Sequence, residues 1–275
     1  MRFTKIVTLT DIHILPDGKR IIGIDPIERL EKAIAHINRT QADAQLCVIT
    51  GDLTHFGDAQ SYAILKRLLA QLKIPLKILI GNHDKRDAFL EAFPVNGTDA
   101  RGFVQFAVIL GGYNLIGLDS LNQPLIEGTR KGAGNLDGGR LDFLSHALEN
   151  SGGLPSVIFL HHPPFYTGFP GMDVIKLMDS QVFLSSLKGH DVRQIICGHI
   201  HRSISASWHG IPVTVYKSLV DQMPFDLESL ETSLAIPEPP AYGVILLGPD
   251  TVVCHSIEYM SELADGQTHE FLAYT

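Results

Sequence analysis

Five short apolar runs of the chain each end in a cluster of Asp, Asn or His residues. Val7-Thr8-Leu9-Thr10 leads to Asp11 and His13, and Leu46 to Thr50 leads to Gly51 and Asp52. Leu76 to Ile80 leads to Gly81, Asn82, His83 and Asp84. Val157 to Leu160 leads to His161 and His162, and Ile195-Ile196-Cys197 leads to Gly198, His199 and His201. Runs this short and this apolar read as buried strands. Open α/β sheets build their sites at the carboxyl ends of strands, so the pattern constrains fold and chemistry together. Glycine stands before the donors in three of the five clusters. There it lets the backbone turn sharply and approach a neighbour closely.

Between the runs the chain reads as helix. Asp25-Pro26 is an N-cap followed by proline at the first helical position, and Ile27, Leu30, Ile34 and Ile37 follow at helical spacing. Asp58 caps a second helix with Tyr62, Leu65, Leu68, Leu69 and Leu72 on one stripe. Gly111-Gly112 joins strands at Phe103–Leu110 and Tyr113–Leu118 into a hairpin. Helices are expected over Arg140–Leu148 and Val182–Leu187. The late strands are Ile204–Trp208, Val213–Tyr216, Val244–Leu247 and Val252–Ile257. The pattern predicts one domain over residues 1–275, with two packed sheets and helices outside. Residues 219–242 read as a lid, a dimer contact or a surface connection. Residues 243–259 read as closing strands, with the strands from Val213 onward completing the second sheet.

The donors Asp11, His13, Asp52, Asn82, His161, His199 and His201 suit borderline divalent metals, not Ca²⁺ and not a thiolate site. They are too many for one tetrahedral ion, and two ions fit if a carboxylate bridges them. The composition excludes other classes. The formal charge of -8, from 22 Lys plus Arg against 30 Asp plus Glu, disfavours a nucleic-acid polymer as partner. No apolar run approaches the ~20 residues of a membrane helix, so no membrane partner is expected. Cys47, Cys197 and Cys254 are odd in number and far apart, which fits reduced thiols in the cytoplasm.

Asp11-x-His13, Gly51-Asp52, Gly81-Asn82-His83-Asp84, His161-His162 and Gly198-His199-x-His201 resemble, in order, the five signature blocks of the calcineurin-like metallophosphoesterase superfamily. Finer features are similar to bacterial class III cyclic nucleotide phosphodiesterases and glycerophosphodiesterases. These are His161-His162-Pro163-Pro164, Thr167-Gly168 with Met172-Asp173, and Gly198-His199-Ile200-His201-Arg202. The resemblance implies a four-layer α/β/β/α sandwich of two mixed sheets. It implies two transition-metal ions, among Mn²⁺, Fe²⁺, Co²⁺ and Zn²⁺. Asp11, His13, Asp52 and His201 would hold the first, and Asp52, Asn82, His161 and His199 the second, with Asp52 bridging. His83 would face the scissile phosphate, oriented by Asp84. The reaction implied is in-line attack of a metal-bridging hydroxide on a small phosphodiester, either a 3′,5′-cyclic nucleotide or a glycerophosphodiester. The alternatives are a phosphomonoesterase on the same site and a non-catalytic scaffold. A homo-oligomer stays open.

Other residues carry two readings each. His162 is either a partner of the ligands or a packing residue. His55, three residues past Asp52, is read as an ordinary structural residue, with reach to substrate as the alternative. Arg202 is read as a solvated or supporting cation. Phe165, Tyr166 and Phe169 either wall a pocket or pack a loop. His36, His146, His190, His209, His255 and His269 are read as ordinary histidines.

Overall fold

The computed structural model of the protein describes residues 3–94 and 97–260; His269 lies outside them. Among the described residues, eleven strands form two sheets. The first has the order β11-β10-β1-β2-β3, from Val252–Glu258, Ala241–Leu247, Thr4–Leu9, Leu46–Thr50 and Leu76–Leu79. The second has the order β4-β5-β6-β7-β9-β8, from Phe106–Leu110, Tyr113–Leu118, Ser156–Leu160, Val192–Cys197, Ile211–Val215 and Ile204–Trp208. Both are mixed: β1, β2 and β3 run parallel, as do β5, β6, β7 and β9, while β10, β11, β4 and β8 join antiparallel.

The period of two along each strand sorts the core into layers. Leu46 and Val48 of β2, and Val157 and Phe159 of β6, share the core between the sheets. Cys47 and Ile49 point the other way, into a core with Leu30, Ile34 and Ile37 of α1 (Pro26–Thr40) and Leu65 and Leu68 of α2 (Ala59–Leu69). Ile158 and Leu160 face Leu144 and Leu148 of α4 (Gly138–Glu149) and Phe183 of α6 (Ser180–Ser186). Helix, sheet, sheet and helix therefore stack in four layers, as expected.

The caps form as read. The Asp25 carboxylate accepts from Ile27 and Glu28 amides, and that of Asp58 from the Ser61 amide. Two short helices escaped the sequence: α3 (Arg86–Ala92) and α5 (Pro170–Asp173). Neither is long enough to show an apolar stripe.

Two expectations need correction. The hairpin ladder begins at Phe106, not Phe103, because the Phe103 amide donates to Asp99 and that of Val104 to Asp119. The late strands do not all enter the second sheet. β8 and β9 do, but β10 pairs antiparallel with β1 and carries β11 at the edge of the first sheet. No described helix is long and apolar enough to cross a membrane.

Candidate metal centre

The five donor clusters meet at one edge of the two sheets. Parallel pairing brings the ends of β1, β2 and β3 level, and the ends of β6 and β7 follow from the other sheet. The loops after β1 and β2 are stitched together: the amides of Asp11, Ile12 and His13 donate to the carbonyls of Gly51 and Asp52. Asp11, His13, Asp52, His199 and His201 all have φ between 49° and 74°. Left-handed backbone is uncommon for residues with a Cβ, though Asp and His accept it more readily than most. Two glycines are demanded by contact. A Cβ on Gly51 would come 2.7 Å from the Gly81 nitrogen, and one on Gly81 would strike the carboxylate and backbone nitrogen of Asp52.

Asp11, His13, Asp52 and His201 each turn one donor atom to a common point, all within 4.8 Å of one another. Nε2 of His201 lies 3.3 Å from Asp11 Oδ1 and 3.0 Å from Nε2 of His13. Nε2 of His13 lies 3.7 Å from Asp52 Oδ2. Asp52 also reaches the other group: Nε2 of His161 is 3.3 Å from Oδ2 of Asp52 and 3.1 Å from Oδ1 of Asn82. The ring of His199 lies 5.0 Å from that of His161. The His199 Nε2–H donates to the Ile175 carbonyl at 3.1 Å, which leaves Nδ1 as the atom with a lone pair to offer.

The electrostatics fit cations at these points. Burial pushes the Asp11 carboxyl up, yet the His201 imidazole beside it wins and holds it down to about 2. Asp52 is likewise buried, and His161 and His83 hold it well below the usual carboxylate range. Burial opposes charge on His161, but Asp52 raises its imidazole to about 9. His201 is raised well above its ordinary value in the same way by Asp11. His13 and His199 are pushed down to about 3, mainly by burial. Two carboxylates thus draw protons onto two imidazoles at the points where divalent ions would balance the charge. The N and O donor set suits such ions.

His83 stands at the open side. Its backbone amide donates to Asp52 Oδ1 at 2.8 Å, and its Nδ1–H donates to the His55 carbonyl at 2.9 Å. The expected partner, Asp84, does not touch this ring and needs correcting. The Asp84 carboxylate turns back into the protein, where it accepts from the amides of Gly81, Leu53 and Thr54 and from the hydroxyl of Tyr62. It ties the loop after β3 to the loop after β2. Adjacency in sequence suggested the pairing; the turn at residues 81–84 sends the two side chains apart.

The profile of the calcineurin-like phosphoesterase family matches residues 4–203. The chain belongs to this family. A probable cyclic nucleotide phosphodiesterase of Rhodopseudomonas palustris is 39% identical over 258 residues, 93% of each chain. A 3′,5′-cyclic adenosine monophosphate phosphodiesterase of Pseudomonas aeruginosa is 31% identical over 199 residues, 72% of this chain and 69% of its own. A probable glycerophosphodiester phosphodiesterase of Arcobacter nitrofigilis is 29% identical over 240 residues, 86% of both. Among solved structures, a purple acid phosphatase from yellow lupin seeds superposes with a TM-score of 0.62 at 12% identity, covering 98% of this chain and 53% of its own. That likeness speaks to the fold alone.

Around the phosphoesterase centre lie supports that sequence did not disclose. Nδ1 of His201 faces Asp221, at 3.0 Å from its carbonyl and 3.4 Å from its carboxylate. Nδ1 of His162 takes the Ser120 hydroxyl at 2.7 Å, and Nε2 meets the Gly132 carbonyl at 3.1 Å. With both nitrogens occupied, His162 is a partner that steadies the loop at residues 120–134 beside His161 and His199, not a further donor. Three cations near the motifs are engaged. Arg86 grips Asp119, Arg202 pairs with Glu238, and Lys217 pairs with Glu238 and Glu258. Phe169 is buried and packs in the helix-side core of the second sheet, whereas Tyr166 is 78% exposed.

Proposed function

We propose that this family member is a dinuclear-metal phosphodiesterase acting on a small diester, either a 3′,5′-cyclic nucleotide or a glycerophosphodiester. The observation that carries the reading is the meeting of two donor groups at Asp52, with His161 on one side and His13 on the other. Asp11, His13, Asp52 and His201 would hold one ion; Asp52, Asn82, His161 and His199 would hold the other. When bound, two such ions supply Lewis-acid polarisation of the phosphoryl oxygens and a water of lowered pKa. The chain's own residues do the rest. Asp221 and the Ile175 carbonyl fix the rings of His201 and His199. The His55 carbonyl holds Nδ1–H of His83, so Nε2 is the atom left to carry a proton toward the leaving oxygen.

The charge supports a diester. Two divalent ions against Asp11, Asp52 and one hydroxide would leave about +1, which a monoanion matches. A monoester dianion would call on further cations, and Arg86, Arg202 and Lys217 are each paired with a carboxylate. Names of relatives point to both diester types. Two buried free thiols, Cys47 and Cys197, support a cytoplasmic site of action. The test is a rate comparison on the metal-loaded protein between an aryl phosphodiester and its matched monoester. Faster turnover of the diester is expected; faster turnover of the monoester replaces this reading with the phosphomonoesterase.

A further inference from the structure

A third imidazole stands at the open side of the centre with no role in the donor sets. We infer that His55 is a substrate-contacting residue that hydrogen-bonds the phosphoryl group beside His83. The inference rests on the dinuclear reading above.

The geometry carries it. A ring nitrogen from each of His13, His55 and His83 lies within 4.8 Å of those of the other two. The rings of His55 and His83 are neighbours, with centroids 5.0 Å apart and planes tilted by 36°. The ring of His13 meets both edge-on, at 5.4 Å and 4.7 Å. Phe56 meets the His55 ring edge-on at 4.6 Å. Nδ1 of His55 and Nδ1 of His13 are buried, and neither has a hydrogen-bond partner among the described residues. Buried polar atoms without a partner are costly and uncommon. Two such atoms in neighbouring rings that border His83 leave hydrogen-bonding capacity unspent at this edge of the centre.

The chemistry names the class of group. A neutral imidazole always offers one N–H donor, whatever the pH. His13 turns its Nε2 to Asp52 and His201, and His83 spends Nδ1–H on the backbone. A phosphoryl oxygen placed against His83 would have the His55 ring beside it. An oxygen acceptor there would give the substrate a second imidazole donor beside His83. The position is also self-consistent: the same residue fixes the orientation of His83 through its carbonyl, so the two rings are set by one turn of backbone.

The experiment uses the full chain loaded with Mn²⁺ and compares His55→Ala and His55→Gln with the parent. Metal content is measured first, and inorganic phosphate binding by calorimetry second, so neither readout depends on turnover. We expect two ions retained in both variants. Phosphate should bind on the order of tenfold more weakly to His55→Ala, with part of the loss recovered in His55→Gln, whose amide restores a donor. On a diester, the His55→Ala loss should fall chiefly on KM, whereas a His83→Ala loss should fall chiefly on kcat. Unchanged phosphate affinity in His55→Ala overturns the inference. So does a lost metal ion, which would make His55 a ligand. If the parent itself binds two ions and phosphate but cleaves no diester, the phosphodiesterase reading fails while the contact assigned to His55 is still decided by the binding data.

Discussion

Loading the centre with metal should drive protons off the protein, and the number can be worked out. His161 has its imidazole raised to about 9 by Asp52, and His201 is raised well above its ordinary value by Asp11. At pH 7.5 a group titrating near 9 is about 97% protonated. A metal ligand must present a lone pair, so each ring surrenders its proton on binding. About two protons per chain should therefore leave as two ions enter. The sign follows for pH. Below about 9 the ions compete with protons, so each displaced proton weakens apparent affinity tenfold per unit fall in pH. The metal-free fold shows the reverse trend. The folded pKa of His161 lies above its ordinary 6.5, so its stabilising contribution is complete below 6.5 and is lost as pH rises through 9. That contribution is about 3 kcal/mol at most. The assay is calorimetric titration of Mn²⁺ into the metal-free protein in buffers of different ionisation enthalpy, whose slope counts protons. His161→Asn should release about one fewer, which separates the imidazole proton from one lost by bound water. A zero count in the parent, or an unchanged count in His161→Asn, would refute the reasoning.

Asp52→Ala should lower the affinity of both ions, because Asp52 touches both groups, whereas Asn82→Ala should weaken chiefly one; metal analysis after dialysis against a chelator decides it. His83→Ala should keep both ions and lose on the order of 10²-fold in turnover, with a smaller loss for a leaving group that needs no proton. Gly81→Ala should cost about 1–3 kcal/mol in denaturant unfolding and disturb Asp52, because its Cβ would strike that carboxylate and backbone nitrogen; wild-type stability would show that the turn can shift aside. Tyr62→Phe should cost about 1–3 kcal/mol by removing the hydroxyl that donates to buried Asp84 and accepts from the Lys85 amide, and an unchanged unfolding midpoint would count against that bracing role.

What was legible in the sequence was local. An Asp before Pro26 or Ala59 caps its helix through its own carboxylate, and glycine at 111 and 112 turns its own hairpin. The donor clusters were legible because each ends its own strand. Long-range choices left no such mark. β10 alternates like any strand, and nothing in residues 241–247 says that it pairs with β1 instead of β9. The carbonyls of His55 and Ile175 hold ligand-side rings, and every residue type carries a carbonyl. Asp221 sits 20 residues past His201 and meets it only through the return of the chain. Asp84 misled because its neighbour in sequence is not its neighbour in space.

The left-handed backbone at Asp11, His13, Asp52, His199 and His201 filters replacements before chemistry is consulted. A β-branched or bulky residue at any of the five is penalised by its own Cβ, so loss of metal in Asp52→Val would confuse a bent chain with a missing ligand. Asn shares with Asp a tolerance for this region. Asp11→Asn and Asp52→Asn therefore suit the turn while removing one negative charge and one acceptor oxygen, and they are the pair of variants in which a change in metal binding can be read as the lost carboxylate and not as a bent chain.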